Sequence, residues 1–295
     1  MTRNSIFIGL PTLMACVMLL SGCTAEEMDV QNTKRSTEIR LTASMQQTTR
    51  SASSLQDTQV STAVTVGVYG VAGGNTIANG DNAAYSVDEN HQLSAESAMV
   101  WPQSGSVTIY AYAPHQESWS YSLATKTFTV AAAQSSDAGY LASDLIYAKA
   151  TPTDQNTVNL AFAHKLSRIV LTLQTDEGTS LTDATIKIVG TKPSMVFTLT
   201  DGSIGTATGT AADITIGSGI SVGASSSTTL YGVIVPQTIS ANTTLIEVTA
   251  GGKAWRYHFS SDAVFVGGKS HSASITVSSN SFTSTIGGNA TEPAN

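Results

Sequence analysis

Reactive side chains are sparse in this chain, and their spacing excludes more chemistry than it supports. Five histidines, His91, His115, His164, His258 and His271, stand apart with no close pairing. Metal sites need three or four converging nitrogen, sulfur or oxygen ligands, and no thiol remains beyond position 23 to join these imidazoles. The expectation is no metal and no cofactor, with His164 serving as a strand residue or hydrogen-bond partner. Asp137 and Asp144 are near enough in sequence to be tried as a carboxylate pair, but glycoside cleavage needs them roughly 5 to 10 Å apart across a cleft, a distance that sequence spacing does not set. None of the glycine runs continues into Lys and then Ser or Thr, so a phosphate loop would lack its directing cation. No catalytic residue is expected. Trp101, Trp119, Tyr121 and Trp255 leave two uses open: stacking on a glycan or protein ligand if exposed, or filling cores and sheet edges if buried, the latter preferred.

The one side chain with a chemical assignment is Cys23. It follows Ser21-Gly22 at the end of a largely apolar run, Ile6 to Leu20, before which Arg3 is the only charge. That run is shorter than the roughly 20 residues of a spanning helix, and Gly9 and Pro11 weaken it, so it reads as a removable leader. Small residues immediately before a cysteine resemble the bacterial lipoprotein signal, in which the sulfur receives lipid and becomes the new N-terminus. Glu26 and Glu27 resemble the acidic surface-export signal of Bacteroidetes lipoproteins. Cys16 departs with the leader, so a lipidated Cys23 leaves no thiol for a disulfide and the fold must rest on apolar cores and strand pairing. Fourteen Lys plus Arg stand against 21 Asp plus Glu, a net charge of −7. The charges are scattered, with neither a basic stripe for nucleic acid nor a polybasic membrane patch.

Around these residues the chain reads as many short strands. Residues 24–36 are polar without a period, a tether. Ile39, Leu41, Ala43 and Met45 then alternate with Arg40, Thr42 and Ser44, the period of a strand with one buried face. A polar run containing Arg50 and Ser51 follows. Further strands are expected around Val64–Val68, Val107–Tyr112, Trp119–Leu123, Phe128–Val130, Leu145–Tyr147, Leu160–His164 and Ile169–Leu173. Beyond Gln174–Ser180, a polar boundary, they continue at Ile186–Ile188, Val196–Leu199, Ile214–Ile216, Leu230–Val235, Leu245–Val248, Trp255–Phe259 and Ser274–Val277, separated by glycine-containing turns. Ala131–Ala138 is the one candidate for a brief helix. Half-buried strands of this kind need a second apolar layer, which favours Greek-key sandwiches. The expected organisation is a signal peptide (1–22), a tether (23–36), an N-terminal β-sandwich (37–175) and a C-terminal β-sandwich with tail (176–295).

Several phrases, in order, resemble the fimbrillin family of Bacteroidetes, including its Mfa-like subunits: Val66-Gly67-Val68-Tyr69-Gly70, Trp101-Pro102 through Ala113-Pro114, Phe162-Ala163-His164-Lys165-Leu166, Val235-Pro236-Gln237-Thr238 and Val264-Phe265-Val266-Gly267-Gly268. The resemblance implies an all-β protein of two tandem Greek-key, transthyretin-like β-sandwich domains, acting as a fimbrial structural or tip subunit. It also implies a mechanism. An arginine-specific protease removes a leading strand, and a strand from another subunit fills the vacated groove. Transferred to this sequence, Ile39, Leu41, Ala43 and Met45 form the inward face of the leaving strand, and Arg50-Ser51 is the cleavage point. Ala273, Ile275, Val277, Phe282 and Ile286 form a candidate C-terminal donor, although the polar tail departs from a simple apolar strand. The implied partners are other fimbrial subunits, the protease and the lipoprotein export machinery, with a host glycan or protein as ligand in the alternative reading, a non-polymerising surface lipoprotein.

Overall fold

The structure is a computed structural model that describes residues 37–46, 56–123, 125–153, 155–279 and 283–285. Cys23, Arg50, Ser51, Phe282 and Ile286 lie outside the described residues. The first half comprises β1 (Leu41–Met45), β2 (Thr65–Ala72), β3 (Asn75–Thr76), β4 (Ala83–Val87), β5 (Gln92–Ser94), β6 (Thr108–Ala113), β7 (Lys126–Thr129), the single-turn helix α1 (Asp137–Leu141), β8 (Ile146–Ala150) and β9 (Val158–His164). Seven of these strands close on themselves in the order β2-β4-β5-β1-β9-β8-β6, with β6 pairing back to β2, and β3 hangs from β2. The expected pair of open sheets is therefore replaced here by a barrel. Closure removes free edges. β2 is buried on both faces along most of its length: Val66 and Val68 face one side, while the other lies under aromatic rings. Gly67 permits that cover, because a Cβ there would come within 2.4 Å of the Tyr112 ring.

The second half holds β10 (Ser167–Thr175), β11 (Leu181–Thr191), β12 (Ser194–Thr198), β13 (Ser203–Ile204), β14 (Ala212–Val222), β15 (Ser227–Ile234), β16 (Thr238–Ile239), β17 (Thr244–Ala250), β18 (Lys253–His258), β19 (Ala263–Val264), β20 (Ser270–Val277) and β21 (Thr283–Thr285). The two larger sheets run β15-β10-β20 and β14-β11-β17-β18-β21. Strict alternation on β10 buries Ile169, Leu171 and Leu173, and Ile186, Ile188, Ile214, Ile246 and Val248 are likewise buried on strands of the other sheet. Burying an aliphatic side chain of this size stabilises the fold by about 1.5–3 kcal/mol.

The halves are knitted together. Chain between β6 and β8 leaves the barrel, and β7 pairs with β12 rather than with any barrel strand. Phe197 on β12 packs on Trp119 at 5.6 Å and on Tyr147 at 5.7 Å between ring centroids. This accounts for one expectation that the structure corrects: Trp119, Tyr121 and Leu123 do not form a strand but lie in turns. Trp119 is buried by the Phe197 and Tyr112 rings, and the Tyr121 amide donates to Asp81. The brief helix also falls later than expected, at Asp137–Leu141, capped by Ser136, whose hydroxyl accepts from the Gly139 amide. Helix caps of this kind satisfy donors that the first turn leaves free.

Two sheet edges in the second half are covered by side chains. The Gln134 amide oxygen accepts from Val233 N–H at 2.7 Å while its NH2 donates to the Val233 carbonyl at 2.9 Å, on β15. On β20 and just beyond it, the Tyr257 hydroxyl donates to the Thr276 carbonyl and the Trp255 indole to the Ser278 carbonyl.

Candidate functional site

The site begins with β1, whose inward side chains are those singled out by their alternation. Ile39 and Leu41 are 1% exposed and Ala43 4%, while Met45 is half-buried. Two neighbours hold the strand unequally. β9 pairs with it in parallel over five residues, from Leu41 opposite Val158 to Met45 opposite Phe162. β5 pairs with it over two, Leu41 opposite Leu93 and Thr42 opposite Gln92. Further backbone bonds extend the seam, from Ile39 N–H to the Met99 carbonyl, from Trp101 N–H to the Thr37 carbonyl and from Gln46 N–H to the Phe162 carbonyl. On the outer face, Asn159 bridges the strand, accepting from Thr42 and donating to Ser44 at 3.0 Å. β1 is thus the stave that closes the barrel. The backbone of β1 satisfies the facing edges of β9 and β5, and its inward side chains pack in the core that Leu93, Leu160 and Phe162 also line.

The next described residues after β1 and Gln46 are Gln56 and Asp57, a pair the sequence reading passed over. Both are buried. His164 Nδ1 lies 2.9 Å from Asp144 Oδ1, and its Nε2 lies 3.2 Å from the Gln56 carbonyl. Both ring nitrogens of His164 therefore face oxygens of other segments. The Gln56 amide donates to the other Asp144 oxygen at 3.4 Å. Asp57 binds Arg168 Nη1 through both oxygens, at 2.7 and 2.8 Å, while Arg168 Nε donates to Ser270 at 2.8 Å. Burial works against the Arg168 charge, but the hydrogen bonds and charge of Asp57, with Tyr140, outweigh it and hold its pKa above the ordinary arginine value. Arg168 belongs to β10, so this clasp ties the chain after β1 to the second half. Its members are spread from residue 56 to residue 270, which no local pattern reveals.

The remaining candidates do not converge with β1. Ala273, Ile275 and Val277 lie on β20, where Ile275 and Val277 are buried and an eight-residue parallel ladder joins the strand to β10. Asp144 is buried against His164, whereas Asp137 opens α1 at the surface, so the two do not form a carboxylate pair. Trp101, Trp119 and Trp255 are 5–7% exposed and are core residues; Tyr121 is half-buried. Among the described residues, no group of three or more His, Cys, Asp or Glu is placed to hold a metal ion.

A closed all-β barrel completed by β1 is thus joined to layered β-sheets. The fimbrillin-like family matches residues 49–291, and the chain belongs to that family. The matched segment starts downstream of β1. Among solved structures, the chain is similar to a candidate cell adhesion protein from Bacteroides uniformis, with a TM-score of 0.62 at 22% identity, over 83% of this chain and 95% of that one. It is similar also to a candidate cell adhesion protein from Bacteroides ovatus, with a TM-score of 0.63 at 16% identity, over 83% and 94% of the two chains. At these identities the likeness is one of fold. None of the curated proteins matches the chain. Family membership makes this a non-enzymatic fimbrial or adhesion protein and implies a surface location and contact with other fimbrial components.

Proposed function

We propose that the chain is a fimbrial structural or tip subunit assembled by protease-triggered donor-strand exchange. The observation that carries this reading is the place of β1: it closes the barrel between β5 and β9, buries Leu41 and Ala43 with Ile39 just before them, and is followed in sequence by the polar run containing Arg50. In this reading lipidated Cys23 takes the precursor through the lipoprotein export machinery to the outer membrane. An arginine-specific protease cuts between Arg50 and Ser51, β1 leaves with the lipid, and a strand from another subunit enters the slot. Two tandem domains serve the process, the barrel as acceptor and the layered sheets as body. The division proposed at residues 175 and 176 falls at the end of β10, whose pairing with β15 and β20 supports counting that strand with the second domain.

The C-terminal candidate strand favours an acceptor over a donor. Ile275 and Val277 are buried within their own sheet, and the β20 edge is covered by Tyr257 and Trp255, which suits a tip position. Intact-mass analysis of protein extracted from the cell surface tests the proposal. A mature terminus at Ser51, lost in Arg50→Ala together with incorporation into fibres, is the expected result. A surface form that keeps its acylated Cys23 and still enters fibres would overturn it.

A further inference from the structure

β1 ends with Met45 opposite Phe162, and the next inward position along β9 is His164. That place is already occupied. Gln56 sets its carbonyl against His164 and its amide against Asp144, and Asp57 is fixed by both oxygens to Arg168, which Ser270 and the Tyr231 ring also hold. We propose that Gln56 and Asp57 form an end-stop for the β1 slot, setting the register of whichever strand occupies it. For an incoming strand this rests on the strand-exchange reading above; for β1 itself it does not.

A register device is needed because pairing alone is a weak ruler here. A slip of one residue turns every inward side chain outward and is strongly opposed, but a slip of two keeps the same face inward. β5 contributes only two paired residues against such a slip. An advance of two would carry Met45 from Phe162 to His164, where Gln56 lies, and would put Leu41 opposite Leu160, the place now taken by Ala43. With the stop in place, a strand seated in the slot must present aliphatic, aliphatic and small side chains at the positions of Ile39, Leu41 and Ala43. The clasp thereby selects the donor's sequence without touching its inward face. It is built from both halves of the molecule, so it holds when the chain upstream of it is gone.

Disulfide trapping reads the register directly. In the full chain carrying Cys16→Ser and Cys23→Ser, Ser44→Cys is combined either with Ala161→Cys, its present partner, or with Ala163→Cys, its partner after an advance of two. The same two acceptors, cut with an arginine-specific protease and stripped of β1, are offered a synthetic peptide of residues 37–46 with Ser44→Cys. The expected result is bonding to position 161 and not 163. In the Asp57→Asn, Arg168→Met variant the ratio of 163 to 161 should rise about tenfold, as expected when a state is no longer penalised. Equal trapping at 161 and 163 with the clasp intact overturns the proposal without any clasp variant, and so does an unchanged ratio in a clasp variant that melts cooperatively. Failure of the peptide to enter the cut chain sinks strand exchange instead, and the end-stop is then judged on the uncut chain.

Discussion

Asp57 places both carboxylate oxygens on one nitrogen of Arg168, and neither side chain retains more than 1% of its surface. Removing one partner of such a pair strands a buried charge. Arg168→Met alone should therefore cost roughly 3–5 kcal/mol, whereas Asp57→Leu together with Arg168→Met should recover most of it. Urea unfolding of the two single variants and the double one measures the cycle; a double variant no more stable than the singles would show that the pair is not the dominant interaction of these residues.

β1 should be sensitive on one face and tolerant on the other. Leu41→Ala opens a cavity between Leu93 and Val158, its partners on β5 and β9, and is expected to cost about 2–5 kcal/mol. Arg40→Ala changes an exposed position and is expected to stay within about 0.5 kcal/mol. Amide hydrogen exchange should further show faster opening of Leu160 and Phe162 in Leu41→Ala, while β10 keeps its protection.

Gly67→Ala tests the cover over β2. The added methyl would sit 2.4 Å from a Tyr112 ring carbon whose hydroxyl is committed to Asn82 at 2.7 Å. The ring cannot yield without giving up that bond, so a loss of about 1–3 kcal/mol is expected. Thermal melting of Gly67→Ala beside Gly73→Ala, where no atom lies near the new methyl, separates crowding from backbone effects, and the Gly73 variant must be read with its own positive φ of 57° in mind.

Alkaline pH should weaken the fold by charging buried phenols, Tyr112 of the barrel among them. Burial pushes the Tyr112 phenol up to about 12, against partial opposition from the Gln116 amide that donates to its oxygen. The folded state thus keeps a proton that the unfolded chain gives up near pH 10. The stabilisation is complete below pH 10 and is lost as pH rises toward about 12, about 2–3 kcal/mol over that span. Urea midpoints taken from pH 8 to 11, with tyrosinate absorbance followed in parallel, check it; Tyr112→Phe should flatten the decline.

Much of this architecture could be read from alternation, and what could not has a physical reason. Ile39, Leu41 and Ala43 announce a strand because one face is wet; their partners on β9 lie more than a hundred residues away, so barrel closure left no local trace. Trp119, Tyr121 and Leu123 mimic the same period without being a strand, because Phe197 from β12 supplies the apolar contact that a sheet would otherwise supply. β4 and β5 were passed over because they are short, although Tyr85, Val87 and Leu93 carry the same alternation. His164 was expected to be a hydrogen-bond partner, but its partners Asp144 and Gln56 belong to separate loops. Buried polar pairs obey no period, which is why the clasp had to await coordinates.

The Gln134 side chain imitates a peptide group, giving Val233 both the donor and the acceptor that a neighbouring strand would give. Together with Tyr257 and Trp255 at the end of β20, it blunts both edges of the β15-β10-β20 sheet as templates for sideways zippering. Edge-to-edge association is the ordinary hazard of β-rich proteins at high local concentration. For molecules crowded on a cell surface, the consequence is a grammar of contact: neighbours can lie side by side without fusing through these two edges.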